Sequence, residues 1–336
     1  MTVVPQVAIS VTEPNQAGEA RRVAVRLAES VGFDERARGE VAIVATELAT
    51  NLARYARTGR LLIQVMALPA GPMLELLSVD GGPGMADVSA CLRDGYSTGG
   101  TPGTGLGAVR RLSNTFDIYS TPAGTVILSR IRRAGTASAA GEYDWGSISQ
   151  PAPHETACGD AWRIALQDGG LAIMVCDGLG HGPLAAAAAE RAVDVFAARP
   201  FDDAGALIER AHPALTGSRG AAMAVATIGG GGVRYAGVGN IAGVLTGGER
   251  NRGLPSQNGT VGVQMRRVQT LEYDWPIGGR LFMHSDGLTS RWTLDSYPGL
   301  GSRHPAVQAG VLWRDCIRGR DDATIVVVER KTASHA

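Results

Sequence analysis

A single lysine, Lys331, among 32 basic residues in a chain of 336 leaves arginine to carry almost all the positive charge. That scarcity excludes two designs for an ATP site. A P-loop needs a Gly-Lys-Ser/Thr step, and a eukaryotic-type kinase needs a strand lysine on the phosphates. Any ATP site in this chain must hold phosphate by other means. Net charge is also lacking: 32 acidic residues balance the 32 basic ones, with no basic run, which argues against nucleic acid as a partner. No apolar run approaches the length of about 20 residues that spans a bilayer. The opening MTVVPQVAIS has neither the basic start nor the apolar stretch of a secretory leader. A cytoplasmic protein that does not engage membranes is therefore expected. The four cysteines, Cys91, Cys158, Cys176 and Cys316, form no CxxC pair. They read as small buried apolar side chains rather than as zinc ligands or a disulfide framework.

What is present is enough apolar residue, 44%, for two cores, and a length that exceeds one average domain. The pattern is α/β throughout, in two stretches that share no internal repeat. Residues 16–31 and 38–55 carry apolar positions at helical spacing, while 61–67 and 73–79 read as strands around the Pro69–Pro72 turn. A glycine-rich loop, a helix and two strands complete a first domain over 1–132. Residues 133–143, rich in Ala, Gly and Ser, read as a linker. The second domain, 144–331, is expected to hold a strand at 171–176, an alanine-rich helix from Pro183, a helix near 204–215 and further strands.

Four blocks in the second domain concentrate carboxylates: CGDAW (158–162), VCDGLGHG (175–182), MHSDGLT (283–289) and RDDATIVVVER (320–330). Three end or follow an apolar strand run with an Asp, and the fourth sets Asp321 and Asp322 immediately before one, each on fixed backbone at a sheet edge. Converging strand ends of this kind make an oxygen-rich site suited to Mg²⁺ or Mn²⁺. A single Asp-Gly is usually only a turn; four in order, with Gly237-Val-Gly-Asn240 between them, resemble the PPM protein phosphatases in their SpoIIE/RsbX-type branch. That resemblance implies an α-β-β-α sandwich and two Mn²⁺ or Mg²⁺ ions held by Asp160, Asp177, Gly178, Asp286 and Asp321, with Asp322 the alternative to Asp321. It implies in-line attack by metal-activated water on phosphoserine or phosphothreonine, cation binding lowering the pKa of water from about 15.7 towards about 7. His181 is open between an acid and a turn-stabilising role. Arg163 and Arg219 are the candidates for holding phosphate.

In the first domain, Glu47 and Asn51 in ATELATNLARYA (45–56) are four residues apart, on one face of a helix. SVDGGPGM (78–85) ends a strand in Asp80 followed by glycines. GTPGTGLGAVRRL (100–112) joins a glycine-rich loop to a helix start, where backbone N–H groups make an anion site without lysine. The three boxes in this order resemble the GHKL ATP-binding fold, an α/β sandwich, and residues 95–125 look like RsbT-type serine kinases. Under that resemblance Asn51 holds Mg²⁺ on ATP, Glu47 is the general base, and Asp80 accepts from the adenine amino group. Gly82 and Gly84 close on the base, Gly103, Gly105, Leu106 and Gly107 lie under the phosphates, and 86–102 form a lid. With no phosphoacceptor histidine helix ahead of these boxes, a sensor histidine kinase is disfavoured.

Together the resemblances imply a bifunctional switch. A kinase half would phosphorylate Ser/Thr on a STAS-domain antagonist or scaffold protein, and a phosphatase half would reverse it, in stress-response or sigma-factor control. A nucleotide-gated module that binds a STAS protein or a sigma factor without transferring phosphate is the alternative for the first half.

Overall fold

The computed structural model describes residues 6–56, 58–93, 105–133, 142–167, 169–247, 251–275 and 278–331. Gly103, most of the linker and residues 94–102 of the expected lid lie outside them. The chain forms two compact units. The first is Met1–Ala140 with Tyr297–Arg314; the second is Gly141–Ser296 with Asp315–Ala336.

The first unit opens with β1 (Val7–Ser10), α1 (Gln16–Ser30) and α2 (Glu35–Tyr55). Ala17, Ala20, Ala24 and Ala28 repeat at three- and four-residue spacing, so α1 buries one stripe of small side chains and packs closely. Asp34 caps α2, its carboxylate accepting from the Ala37 N–H at 2.8 Å, a contact worth about 1 kcal/mol. Next come β2 (Gly59–Leu68), β3 (Gly71–Asp80), the single turn α3 (Val88–Cys91), α4 (Gly105–Leu112), β4 (Thr115–Thr121) and β5 (Gly124–Arg132). The strands form one antiparallel sheet in the order β1-β2-β3-β5-β4. Leu61, Ile63, Leu74, Leu76 and Ile127 face α1 and α2 in a common core. Their alternates Leu62, Leu77, Val126 and Leu128 are buried too. A sheet covered on both faces needs nearly continuous apolar strands, which is how β2, β3 and β5 read.

The second unit contains β6 (Tyr143–Gln150), β7 (Asp160–Gln167), β8 (Gly170–Gly178), α5 (Pro183–Ala198), α6 (Ala204–Leu215), β9 (Ala221–Gly229), β10 (Gly232–Val238) and β11 (Ala242–Thr246). Short strands β12 (Arg252–Leu254), β13 (Gly259–Thr260), β14 (Gln264–Met265) and β15 (Leu271–Asp274) lead to β16 (Arg280–His284). Helix α7 (Pro305–Cys316) and β17 (Ala323–Arg330) end the fold. Two five-stranded sheets result, β15-β10-β9-β8-β7 and β12-β11-β16-β17-β6. Pro183 sits at the first position of α5, where its missing N–H costs nothing. Ala189, Ala192 and Phe196 of α5 and Leu207, Ile208 and Ala211 of α6 pack on Ala172, Met174 and Cys176 of β8. Leu171, Ile173 and Val175, on the other face of β8, are equally buried. Both units are thus α/β, the second built on paired sheets as the phosphatase resemblance implies. No helix among the described residues is long and apolar enough to cross a membrane.

Helix α7 falls within the expected phosphatase domain, but its residues up to Arg314 fold with the first unit. It lies on the sheet face opposite α1 and α2. A Cβ on Gly310 would stand 2.7 Å from Val126 Cγ1 and 3.4 Å from Leu77, so glycine is what lets the helix come down on the strands. The Arg60 guanidinium lies 5.4 Å from the Trp313 ring centroid, a cation–π geometry. Between sheet and segment runs a buried polar ladder across three strands. Gln64 Nε2 donates to Glu75 Oε1 at 2.6 Å, Arg130 donates to Glu75 Oε2 at 2.7 Å, and Arg130 Nη1 lies 3.2 Å from His304 Nε2. Asp117 then holds the segment's start, accepting from the His304 N–H at 2.6 Å and from Arg303 at 3.2 Å.

Candidate functional site

In the second unit the antiparallel register sets Asp160 of β7 directly opposite Asp177 of β8. Like charges facing each other at that spacing repel. Burial, followed by the other aspartates, pushes Asp177 up to about 9. Burial likewise raises Asp160 to about 7, partly offset by hydrogen bonds from Ser285 and Thr324. Ser285 Oγ donates to Asp160 Oδ2 at 2.6 Å and itself accepts from the Thr324 N–H at 3.0 Å. Asp160 Oδ1 is buried with no partner. Buried oxygens without donors, in carboxylates that repel one another, are the chemistry a divalent cation fits. Asp286 and Asp321 belong to the same electrostatic group, since both raise Asp177. Among the described residues no three His, Cys, Asp or Glu side chains close around a single point.

Asp321 and Asp322 differ sharply. The Asp322 carboxylate accepts from the Ala152 N–H at 2.8 Å with one oxygen and from the Gly159 N–H at 2.9 Å with the other. It is occupied with backbone, whereas Asp321 Oδ1 accepts only the adjacent Asp322 N–H at 2.9 Å. Glycines hold these boxes together. A Cβ on Gly287 would collide with the Asp322 carbonyl, one on Gly178 with the Ala185 carbonyl, and one on Gly159 would stand 2.6 Å from Asp322 Oδ2. Asn240 of the GVGN block donates to Asp286 Oδ2 at 2.7 Å. His181 Nδ1 is 2.6 Å from Glu155 Oε1, and Arg219 Nη1 donates to the His181 carbonyl at 3.4 Å. Of the two phosphate candidates, Arg219 stands at the Asp177 loop. Arg163 is three residues from Asp160 along a strand, hence on the opposite face, with Asp194 as its charged neighbour.

In the first unit α2 and α4 bring Glu47 to the glycine-rich box: a Cβ on Gly105 would stand 2.6 Å from Glu47 Oε2. Asn51 Nδ2, one turn on, is buried without a partner. Asp80 Oδ1 accepts from the Gly82 N–H at 2.7 Å and the Thr125 N–H at 3.2 Å, which leaves Oδ2 for a further donor. Burial raises the Asp80 carboxyl above its ordinary range, and these two N–H groups and Arg314 oppose the rise. The close approaches that demand glycine at 82 and 84 are to protein: the Tyr55 carbonyl at 2.6 Å for Gly82, the Thr121 carbonyl for Gly84. Leu106 packs against the core and Gly107 is buried within α4. The start of α4 is where a helix N-terminus and the Glu47–Asn51 face meet.

Glu155 and Arg314 lie outside every block that the sequence marks, and Ser285 is contained in one without a role of its own. Ser285 and Asn240 each adjoin or lie in a quoted block, and that adjacency was the available signal.

Fold and site together define two domain classes on one chain: a lysine-free ATPase domain of GHKL type and a phosphatase domain of PPM type. Known proteins agree. The family model for the histidine kinase-like ATPase domain matches residues 11–131, and that of stage II sporulation protein E (SpoIIE) matches residues 167–331. The serine/threonine-protein kinase RsbT of Bacillus subtilis (strain 168) is 33% identical over 101 residues, covering 30% of this chain and 76% of that protein. A solved structure of the SpoIIE PP2C phosphatase domain with a fragment of its regulatory domain, also from Bacillus subtilis, is 15% identical with a TM-score of 0.50. The match covers 96% of this chain and 100% of that one. A bacterial stressosome structure, 24% identical with a TM-score of 0.51, covers 56% of this chain and 100% of that chain. Both likenesses bear on fold. The chain belongs to the RsbT family of serine/threonine kinases through its first domain and carries a SpoIIE-type serine/threonine phosphatase domain in its second. An ATPase domain and a phosphatase domain of these kinds imply ATP and divalent metal ions.

Proposed function

We propose that the chain is a two-way switch: its first unit phosphorylates a serine or threonine on a STAS-domain protein and its second removes that phosphate. The observation that carries the forward half is Glu47 against Gly105, which sets a carboxylate base at the start of the helix expected to receive the phosphates. A domain that only bound nucleotide would need no base there. Glu47 accepts the substrate hydroxyl proton, Asn51 holds the cation that accompanies ATP, and Asp80 reads the base. Phosphoryl transfer then relies on positioning and on the α4 N-terminus in place of lysine.

For the reverse half, Asp160, Asp177, Asp286 and Asp321 fit divalent cations, with the Gly178 carbonyl beside them. Such cations would supply water activation and neutralisation of phosphate charge. The chain's own residues orient: Ser285 fixes Asp160, Asn240 fixes Asp286, and Asp322 ties the backbone at Ala152 and Gly159 so that Asp160 starts its strand in place. His181 is held by Glu155 at the Asp177 loop, and Arg219 is the arginine available there. The partner's STAS class is supported by the RsbT relationship, and a sigma factor further downstream suits the same setting. The testing experiment mixes the full chain, radiolabelled ATP and a STAS-domain protein. Label should pass to the protein with Mg²⁺ and leave it with Mn²⁺ once ATP is exhausted; ATP binding without any transfer would leave a nucleotide-gated binding module instead.

Asp321 and Asp322 should separate in the laboratory. Asp322→Ala leaves two buried N–H groups unpaired and is expected to cost about 2–4 kcal/mol in denaturant unfolding. Asp321→Ala should stay within about 0.5 kcal/mol of wild type yet lose the thermal stabilisation by Mn²⁺. The reverse pattern would transfer the ligand role to Asp322.

A further inference from the structure

The sequence matched by the SpoIIE model, residues 167–331, includes α7, yet α7 up to Arg314 folds with the ATPase unit. Its last residue in that unit reaches the adenine box. Arg314 Nη1 donates to the Asp80 carbonyl at 3.4 Å. Gly124 makes the approach possible: at φ +137° a Cβ there would collide with the Asp80 carbonyl and stand 2.7 Å from Arg314 Nη1. Asp80 is therefore braced from three sides, by the Gly82 N–H of its own turn, by the Thr125 N–H of β5 and by the Arg314 guanidinium of α7. The helix that delivers Arg314 is itself fixed, by Gly310 on Val126, by Trp313 against Arg60 and by the Asp117–His304 bond.

We propose that Arg314 is a positioning residue of the nucleotide site, holding the Asp80 peptide so that its carboxylate meets the base, and that nucleotide binding in turn tightens α7. The inference rests on the reading of Asp80 as the adenine acceptor. Linkage makes the second clause follow from the first: whatever α7 contributes to binding, the nucleotide returns to α7. Beyond Arg314 the chain enters the second unit, where the Cys316 carbonyl accepts from the Thr289 N–H at 2.9 Å and the Arg318 N–H donates to the Gly287 carbonyl at 2.8 Å. Those bonds hold the turn that carries Asp286.

The test is MgATP titration of the full chain by calorimetry, in wild type, Arg314→Met, Arg314→Lys and Asp80→Asn. Arg314→Met should raise Kd about five- to tenfold, as expected for a hydrogen bond of ordinary strength, and Arg314→Lys should recover part of it. Hydrogen exchange of the wild type supplies a readout that needs no variant: MgATP should slow exchange across 305–316. Wild-type affinity in Arg314→Met, with binding lost in Asp80→Asn, would overturn the proposal and leave the nucleotide reading standing. Unchanged exchange over 305–316 at saturating MgATP would overturn it as well. A wild type that binds no ATP would remove the nucleotide reading, and this proposal with it.

Discussion

Asp177→Asn should reduce phosphate release from a phosphoserine substrate by at least about a hundredfold, the upper range for disturbing even the partners of metal ligands. It should also make the metal-stripped protein more stable. Asp177 faces Asp160 across paired strands, and burial and four neighbouring aspartates lift it to about 9. At neutral pH the metal-free fold therefore holds this carboxyl protonated, a cost that the unfolded chain, where it ionises freely in water, does not bear. Replacing the carboxyl by an isosteric amide, which has no proton to take up, removes that cost, and a gain of about 1 kcal/mol corresponds to a rise of roughly 2–4 °C in Tm. Wild type should gain stability from Mn²⁺ while Asp177→Asn gains little, so the two melting curves converge or cross as metal is added. Stability at the site is exchanged for function, as expected where charge is concentrated to bind a cation. Thermal melts with chelator and with Mn²⁺, beside a phosphate-release assay, check both halves. A variant that releases phosphate at the wild-type rate, or keeps the full Mn²⁺ shift, would end the metal-site reading.

Glu47→Gln should lower phosphoryl transfer to a STAS-domain protein by about 10²–10⁴-fold, the usual contribution of a general base, with MgATP affinity within about threefold of wild type. The distinction follows from geometry. Glu47 touches the start of α4 through Gly105, whereas Asp80, the proposed base-reading group, keeps its bonds to Gly82 and Thr125 in the variant. Asn51→Ala should instead weaken MgATP binding itself, because the amide oxygen proposed to hold the cation is lost. Radiolabel incorporation and calorimetry on the same preparations separate the two effects. Glu47→Gln protein that transfers phosphate at an undiminished rate would remove the base assignment and favour a different proton acceptor.

Local chemistry made much of this fold readable. Helices expected over 16–31 and 38–55 form as Gln16–Ser30 and Glu35–Tyr55, and the one expected near 204–215 forms as Ala204–Leu215. Their apolar spacing and the Asp34 and Asp203 caps are properties of a few adjacent residues. The strand-end aspartates were readable for the same reason: an Asp that borders an apolar run, before it or after it, declares both the strand and its own place at the edge. The choice between Asp321 and Asp322 was not. Two neighbouring carboxylates look alike until Ala152 and Gly159, more than 160 residues away in the chain, claim both oxygens of one of them.

The amino-acid sequence by itself determined two domain classes, the absence of a lysine-based phosphate site, and which short blocks carry chemistry, because each depends on composition or on contiguous residues. Tertiary structure decided what covers the second face of the ATPase sheet. Gln64, Glu75 and Arg130 were polar interruptions in apolar strands, and only strand register aligns them into one ladder that His304 completes. Nothing local to residues 297–314 says that this stretch leaves the phosphatase for the other unit. Its destination is set by a glycine that fits Val126 and an arginine that reaches the Asp80 carbonyl, contacts between residues some 180 to 230 positions apart that exist only once the chain has folded.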